Sequence, residues 1–569
     1  MQTKTSIEHQ SHKQNIYGVR SDYLPAFLAL LALMGAFLFL DAVLPLHGLW
    51  FHTALLVPLS RWFLLPTDIL FHGRALTPTL LTNHNTPAPA IGLSWQEAAL
   101  LLIACLLLLL FYLLALRVLP ERIGRRYLVG STLLLGAICV FIPVVTSQDI
   151  FSYIIYARMA IIYHLNPLST TPQSIIHDPV YVHLYWTNQP SAYGPMWAII
   201  TCILQWLTDI FGTANVAAMV LALRLLGLGA HLLSTLLIWS IAGQLQEAQG
   251  LISLRMRMQA TLAFAWNPLL LFEACVNAHN DTILLPFILL AIWLLIRQSR
   301  THAIHAYQTY AGVALLLAAA TCIKINIALL FPAFLLYLWG QPRRLQTTGL
   351  MLSVYVVSIV ALYAVFWQHG AILSVIQINP GMYRDINTVS EFLSHFYNSI
   401  ATLFGAAPTA EIGSPAESFM RMISLGIFVI IYAIRCWRAI NSRTGLRTPI
   451  GLIRWMAATW LLYCAIGTPW FWPWYAIVFF ALFALTEAVD SDRWQKQPLL
   501  GFLRLPLAAR LFAFSLLSLY CFYTWAPYAS ILPGLPAFRW AYLRGLWAWL
   551  LPLLLSMRWP RRLPHRENL

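Results

Sequence analysis

Apolar runs of roughly 17–25 residues, the length that crosses a bilayer as a helix, recur along nearly the whole chain. They fall near 24–45, 95–117, 127–146, 195–212, 215–242, 258–276, 281–297, 308–322, 325–340, 346–367, 418–436, 449–468, 474–489, 505–525 and 538–556. The pattern predicts an all-α polytopic membrane protein of about 13–16 transmembrane helices, forming a single integral-membrane domain over 1–569. Three long connections interrupt it, at about 46–94, 147–194 and 368–417. The first holds an apolar piece, Leu56 to Leu70, that suits the membrane interface. The second opens with a predicted helix, Ile150 to Tyr163, on which Asp149, Tyr153, Tyr156 and Tyr163 share one face at 3.6 residues per turn. Asn166-Pro167 ends that helix, and Tyr193-Gly194-Pro195 introduces the next span.

Composition strengthens the membrane reading. The 569 residues are 60% hydrophobic and 10% charged, against about 25% charged in soluble domains. The net charge of +15 is split among short blocks between spans, Glu121–Arg126, Arg435–Arg447 and Arg558–Arg566. That is a positive-inside pattern and not a nucleic-acid patch. It predicts a cytoplasmic leader at 1–20, a cytoplasmic tail at 557–569, and an external position for the three long connections. The leader is too long and polar for a simple signal peptide, so the first span is expected to be retained. Fifteen crossings would nevertheless put the two charged ends on opposite sides. The conflict traces to about 150–300, where short or re-entrant helices would remove it. The eight cysteines form no CxxC pair and read as small core residues. Aromatic residues flank many spans as interfacial belts do.

Candidate chemistry begins at Asp149, a carboxylate at the lip of a span. Placing it there costs a few kcal/mol unless water or partners solvate it. It reads either as a helix N-cap or as a general base or substrate ligand. With an ordinary pKa of ~3.9 it is a weak base, suited to late proton transfer onto an attack at a strong electrophile. A second cluster runs from Trp266-Asn267-Pro268 through Glu273 to Asn277-Ala278-His279-Asn280-Asp281. Asn280 or Asp281 could cap a helix starting at Thr282. Glu273 and His279 within apolar surroundings suggest a polar cavity instead. Lys324 stands alone between two apolar runs, either snorkelling to an interface or supporting an anion. Arg158, Arg224 and Arg384 are further cations able to meet a phosphate through paired N–H donors, and Arg224 lies mid-span. Thr468-Pro-Trp-Phe-Trp-Pro-Trp474-Tyr475 reads as an aromatic belt on a stiffened turn, or as a wall for a sugar or an isoprenoid chain. Asp178 beside His177 reads as a solvated loop pair or an external ligand. Walker A, GxGxxG, HExxH and GxSxG signatures are absent, and the loop histidines His164, His177 and His183 make no ready metal set.

In this order, the residues resemble the integral-membrane glycosyltransferases of the GT-C superfamily, especially bacterial polyprenyl-phosphate-mannose-dependent mannosyltransferases. Asp149 with Asn166-Pro167 resembles the acid, helix and Asn-Pro element of their first large loop. Tyr193-Gly194-Pro195 resembles their Tyr-Gly-Pro or Tyr-Pro-Pro opening of the next span. Asn267-Pro268, Glu273 and Ala278-His279-Asn280-Asp281 are similar to their Asn-Pro, Glu and Gly/Ala-His-Asn-Asp stretch. Lys324 and Pro473-Trp474-Tyr475 are similar to their downstream Lys and Pro-Trp-Tyr. The matches span about 147–475. One departure is Gln148, where many relatives carry a second acid. It leaves the base role to Asp149 alone and weakens a case for metal.

The resemblance implies a GT-C-like bundle whose external loops carry short interfacial helices. It implies a hexosyltransferase moving mannose or another hexose from a polyprenyl-phosphate donor to a lipid or glycan hydroxyl on the external face of the cell membrane. Asp149 would be the base of an inverting displacement, with no cofactor and no metal. Donor-phosphate or substrate contacts would come from Lys324, Arg158, Arg224, Arg384, His279, Asn280, Asp281, Glu273, Tyr153, Tyr193, Trp474 and Tyr475. The competing readings are a polytopic transporter or lipid flippase, which would favour two symmetric halves that the chain does not display, and an assembly subunit with a degenerate site.

Overall fold

A computed structural model describes residues 3–44, 95–119, 124–142, 144–251, 253–301, 306–341, 343–373, 385–406, 414–441, 446–495, 515 and 548–549. The described residues are helical and contain no strand, only one isolated bridge between Ile386 and Trp470. Eight of their helices are long and apolar enough to cross a membrane: Tyr23–Val43, Ala99–Arg117, Val216–Ala248, Asn280–Ser299, Ala306–Ile323, Arg344–Ala364, Pro415–Asn441 and Pro449–Gly467. Three more apolar helical stretches are shorter, Pro195–Phe211, Ile325–Trp339 and Pro473–Val489. Apart from residues 515 and 548–549, the predicted spans at 505–525 and 538–556 lie outside the described residues, as do the interfacial piece Leu56 to Leu70 and the charged tail.

Burial orders these helices. Asn280–Thr301 packs between Val216–Ala248 and Ala306–Ile323, and 61% of its span is buried. Arg344–Ala364 covers the far side of Ala306–Ile323, and only 17% of it is buried, falling to 6% for Pro415–Asn441. Apolar residues left exposed at that level face hydrocarbon in a membrane protein, so these last two form the outer shell.

The predicted continuous span 258–276 is broken into two helices, Leu254–Ala265 and Pro268–Cys275. Pro268 supplies no backbone N–H and cannot continue the preceding turn. The Asn267 side chain instead accepts from the backbone N–H groups of Leu269 and Leu270 and starts a new helix. Eight residues extend about 12 Å, well short of a bilayer core of about 30 Å. The break falls inside the region to which the parity conflict was traced.

Two further helices lose regularity close by. Ile325–Leu330 tightens to a 3-10 helix before Phe331–Trp339, and Tyr463–Gly467 widens to a π turn ahead of the Trp-rich segment. Irregular backbone at membrane depth is tolerated where protein buries it or where it lines a cavity. These three breaks supply His279, Lys324 and Tyr475 to a single place.

Candidate active site

Asp149 is the first residue of the helix Asp149–Ile161, and Gln148 occupies the N-cap without a side-chain capping bond. The N-cap reading of Asp149 therefore does not hold. Its carboxylate is spent outward: Oδ2 accepts the Tyr193 hydroxyl at 3.2 Å, and its side chain is 19% exposed. Burial pushes the Asp149 carboxyl up to about 6, against the opposing pull of the Tyr193 hydrogen bond and the Lys324 charge.

Tyr193 reaches this position because Gly194 lets two segments touch. The Gly194 N–H donates to the Ile323 carbonyl at 3.1 Å. A Cβ at Gly194 would lie 2.2 Å from the Cys322 carbonyl oxygen. Only a residue without a side chain permits that approach. The same contact fixes the strand of chain that ends the Ala306–Ile323 helix, and so places Lys324.

His279 forms the floor. It follows Ala278, held at φ +52°, which turns the chain sharply after the short Pro268–Cys275 helix. Its Nδ1 lies 3.2 Å from the Tyr153 hydroxyl and 3.8 Å from Asp149 Oδ2, and Nε2 lies 3.3 Å from Glu273 Oε2. Glu273 in turn accepts from Asn277 Nδ2 at 2.9 Å, and Thr146 donates to Asn277 Oδ1 at 2.6 Å. Burial, helped by Lys324, holds the imidazole well below its usual pKa, so the ring is neutral. Nδ1 lies within hydrogen-bond distance of the Tyr153 hydroxyl, whereas Nε2, although near Glu273, is buried without a hydrogen bond.

Lys324 closes the opposite side. Its Nζ sits 2.7 Å from Asp281 Oδ2 and 3.7 Å above the centre of the Tyr475 ring. Burial lowers its pKa, while Asp281 and Asp149 oppose that shift. Trp474 stacks on His279 at 3.7 Å between ring centres. Asn280 begins the next helix, yet both polar atoms of its side chain are buried without a partner, as are Asp281 Oδ1, Gln148 Oε1 and Asn326 Oδ1. The predicted cap at Thr282 is thus absent. Each such orphan costs about 1–3 kcal/mol, so together they suit a site that a polar ligand completes. Among the described residues, no three His, Cys, Asp or Glu side chains converge to hold a metal.

The cations singled out from sequence separate into two groups. Of those among the described residues, Lys324 alone reaches this site. Arg158 is buried against Asp178, with Nε at 3.0 and 2.8 Å from the two carboxylate oxygens and further donation to the Thr213 carbonyl. Asp178 also accepts from Tyr163, so it is a buried loop clamp and not a solvated pair. Arg224 donates to the carbonyls of Val140, Ile142, Val144 and Val276, tying the end of the Arg125–Phe141 helix to the turn before His279. Arg384 lies outside the described residues. On the predicted tyrosine face only Tyr153 turns to the site; Tyr156 donates to the Gln189 carbonyl.

Residues 73–341 match the family model described as alpha-(1->6)-mannopyranosyltransferase, N-terminal domain, of the MptA_B family. This stretch is similar to a mannosyltransferase domain. With the eight apolar helices, the match supports a multi-pass membrane glycosyltransferase. No curated protein and no solved structure matches the chain. The matched segment contains Asp149, Tyr193, Glu273, His279, Asp281 and Lys324, whereas Trp474 and Tyr475 reach the site from beyond it.

Sequence reasoning did not assign the support behind His279. The Asn277–Glu273 spacing of one helical turn was the available signal, since i and i+4 share a face. The stacking of Trp474 on His279 had none, because the two residues lie far apart in the chain.

Proposed function

We propose that the chain transfers a hexosyl group, mannose being the first choice, from a polyprenyl-phosphate donor to an acceptor hydroxyl at the external membrane face. The carrying observation is the partly exposed Asp149 carboxylate, bonded by the Tyr193 hydroxyl and beside His279, with the Lys324 ammonium among its neighbours. In this reading the acceptor oxygen bonds to the anomeric carbon as the bond from that carbon to the phosphate oxygen breaks. Asp149 takes the hydroxyl proton, and the electron pair leaves with the polyprenyl phosphate. A single displacement inverts the anomeric centre.

Lys324 meets the charge that develops on the leaving phosphate. Its partner Asp281 holds the ammonium in place and keeps it charged despite burial. Tyr193 holds the carboxylate by its hydrogen bond, His279 and Tyr153 pack behind it, and the orphaned amide of Asn280 is offered to sugar hydroxyls. The lipid tail of the donor fits the apolar outer shell near Arg344–Ala364 and Pro415–Asn441, which stays exposed to hydrocarbon.

The test is membrane incubation with radiolabelled polyprenyl-phosphate mannose and lipid extract, comparing wild type with Asp149→Asn. Wild type is expected to form a labelled product, and Asn at 149 to reduce it by about 10²–10⁴-fold, the usual worth of a general base, at equal protein level. Undiminished transfer by Asp149→Asn would overturn the assignment.

A further inference from the structure

Two irregular segments flank the proposed chemistry. Residues 144–147 lead from the helix Arg125–Phe141 into Asp149, and residues 276–279 form the turn that carries His279. Among the described residues, no backbone–backbone hydrogen bond joins one segment to the other. Side chains hold them together instead. Arg224 grips both at their starts, with Nη2 donating to the Val144 carbonyl at 2.6 Å and Nε to the Val276 carbonyl at 2.8 Å.

Asn277 supplies the second link, closer to the carboxylate. Its Oδ1 accepts the Thr146 hydroxyl at 2.6 Å, and its Nδ2 donates to Glu273 Oε2 at 2.9 Å. All three side chains are buried. Asparagine suits the place because one side chain both accepts and donates. Aspartate would repel Glu273, and an apolar residue would strand two buried partners. Thr146 lies three residues before Asp149. Glu273 packs behind His279, with Oε2 3.3 Å from Nε2, and its backbone carbonyl accepts the His279 N–H at 3.0 Å. The path from Thr146 through Asn277 and Glu273 to His279 therefore closes on the 3.8 Å contact between His279 Nδ1 and Asp149 Oδ2.

From this closed path we infer that Asn277, acting with Thr146, is a positioning residue that sets where Asp149 stands against His279. The inference rests on the glycosyl-transfer reading, in which Asp149 is the base. Asn277 touches no reacting atom; it acts through the two segments it joins. Such placement matters because a misplacement of ~1 Å in a reacting group can cost ~10²-fold in rate. Lys324 is placed from the other side, by the bond between the Gly194 N–H and the Ile323 carbonyl, so the hold on the donor phosphate does not depend on this path.

The test removes the Thr146 hydroxyl and leaves Asn277 in place, because loss of Asn277 would strand Glu273. Thr146→Val deletes the hydroxyl at nearly constant volume, and Thr146→Ser keeps it. Thr132→Val is the control, since that buried hydroxyl bonds the Leu128 carbonyl within its own helix. Full-length proteins in detergent are compared by melting, by kcat and donor KM with polyprenyl-phosphate mannose, and by carbodiimide labelling of Asp149 against pH. Labelling is read by peptide mass spectrometry and needs no turnover. Thr146→Val is expected to lower kcat about tenfold with donor KM unchanged. Its labelling midpoint should fall from the wild-type value of about 6, because a loosened lead-in admits water where burial now raises the pKa. Thr146→Ser and Thr132→Val should match wild type in both readouts. A wild-type kcat or an unmoved midpoint in Thr146→Val, whatever its melting temperature, overturns the inference. The same changes in Thr132→Val overturn it too. A midpoint that moves in Thr146→Val alone, while wild type transfers no sugar, would uphold the positioning and overturn the reaction.

Discussion

Asp149 meets two opposing demands: it must be ionised to accept a proton, and its surroundings resist ionisation. With its carboxyl pushed up to about 6, it is a stronger base than an ordinary aspartate yet still ionised at neutral pH. Below pH 6 it is protonated, so kcat/KM should fall as pH drops through about 6, by about tenfold per unit. The Tyr193 hydrogen bond lowers this pKa, so Tyr193→Phe should shift the acid limb to higher pH. A pH–rate profile checks both, and a limb that stays in place in Tyr193→Phe would detach the limb from Asp149. Lys324 offers a second test. Removing one member of a buried ion pair costs about 3–5 kcal/mol because the other charge is stranded. Lys324→Met should therefore lower thermal stability and raise donor KM together. Adding Asp281→Asn should recover the stability and not the donor KM, as read by melting and by donor titration.

At the scale of elements, the site depends on contacts between segments more than on any one helix. Gly194 is the tightest of these. The Cβ of Gly194→Ala would press on the Cys322 backbone, which cannot rotate away as a side chain would. We expect transfer to drop at least about tenfold as Tyr193 and Lys324 separate, a strain effect of the kind that costs 1–3 kcal/mol. Gly229→Ala is the control: it lies mid-helix with nothing near its Cβ position, so it should leave transfer intact and raise stability by up to about 1 kcal/mol. Activity assays with melting curves on both variants decide this. The Asn267-Pro268 break, the Ile325–Leu330 3-10 helix and the Tyr463–Gly467 π turn all fall inside spans predicted as continuous, 258–276, 325–340 and 449–468. Only the parity conflict over about 150–300 pointed to short helices, and it reaches the first break alone. Their meeting in space was not legible, since spacing along a chain carries no information about which breaks face each other.

On the scale of the whole molecule, the outward surface is apolar where it meets lipid, and one helix of the second long loop shares that habit. In Val389–Leu403, Leu393, Phe396, Tyr397, Ile400 and Leu403 are exposed while Ser390 and Ser394 are buried. This inside-out amphipathicity, together with packing on Pro415–Asn441, suits a helix laid in the membrane interface. A fluorophore on Phe396→Cys should be quenched by lipid-borne quenchers in reconstituted vesicles, and one on Asn188→Cys in the loop bearing Trp186 should not. Equal quenching at both positions would remove the interfacial assignment. The same loop bridges to the segment bearing Trp470 through Ile386.

Composition and the repeating apolar runs by themselves determined the class: a chain with so few charges and so many bilayer-length segments can bury its surface only in lipid. The order of acid, Asn-Pro, Tyr-Gly-Pro, His-Asn-Asp and Lys pointed to sugar transfer, and Asp149, Tyr193, His279, Asp281 and Lys324 do gather in one place. Tertiary structure alone decided which cations belong there. Arg158 and Arg224 have the same charge and comparable surroundings in sequence as Lys324, but Asp178 and four backbone carbonyls satisfy them elsewhere. It also decided that Trp474 covers His279 and that Trp470 meets Trp186. Hydrophobic pattern reports how strongly each residue avoids water, which is local. Pairing of buried polar groups depends on which segments pack together, and that is settled only when the chain has folded.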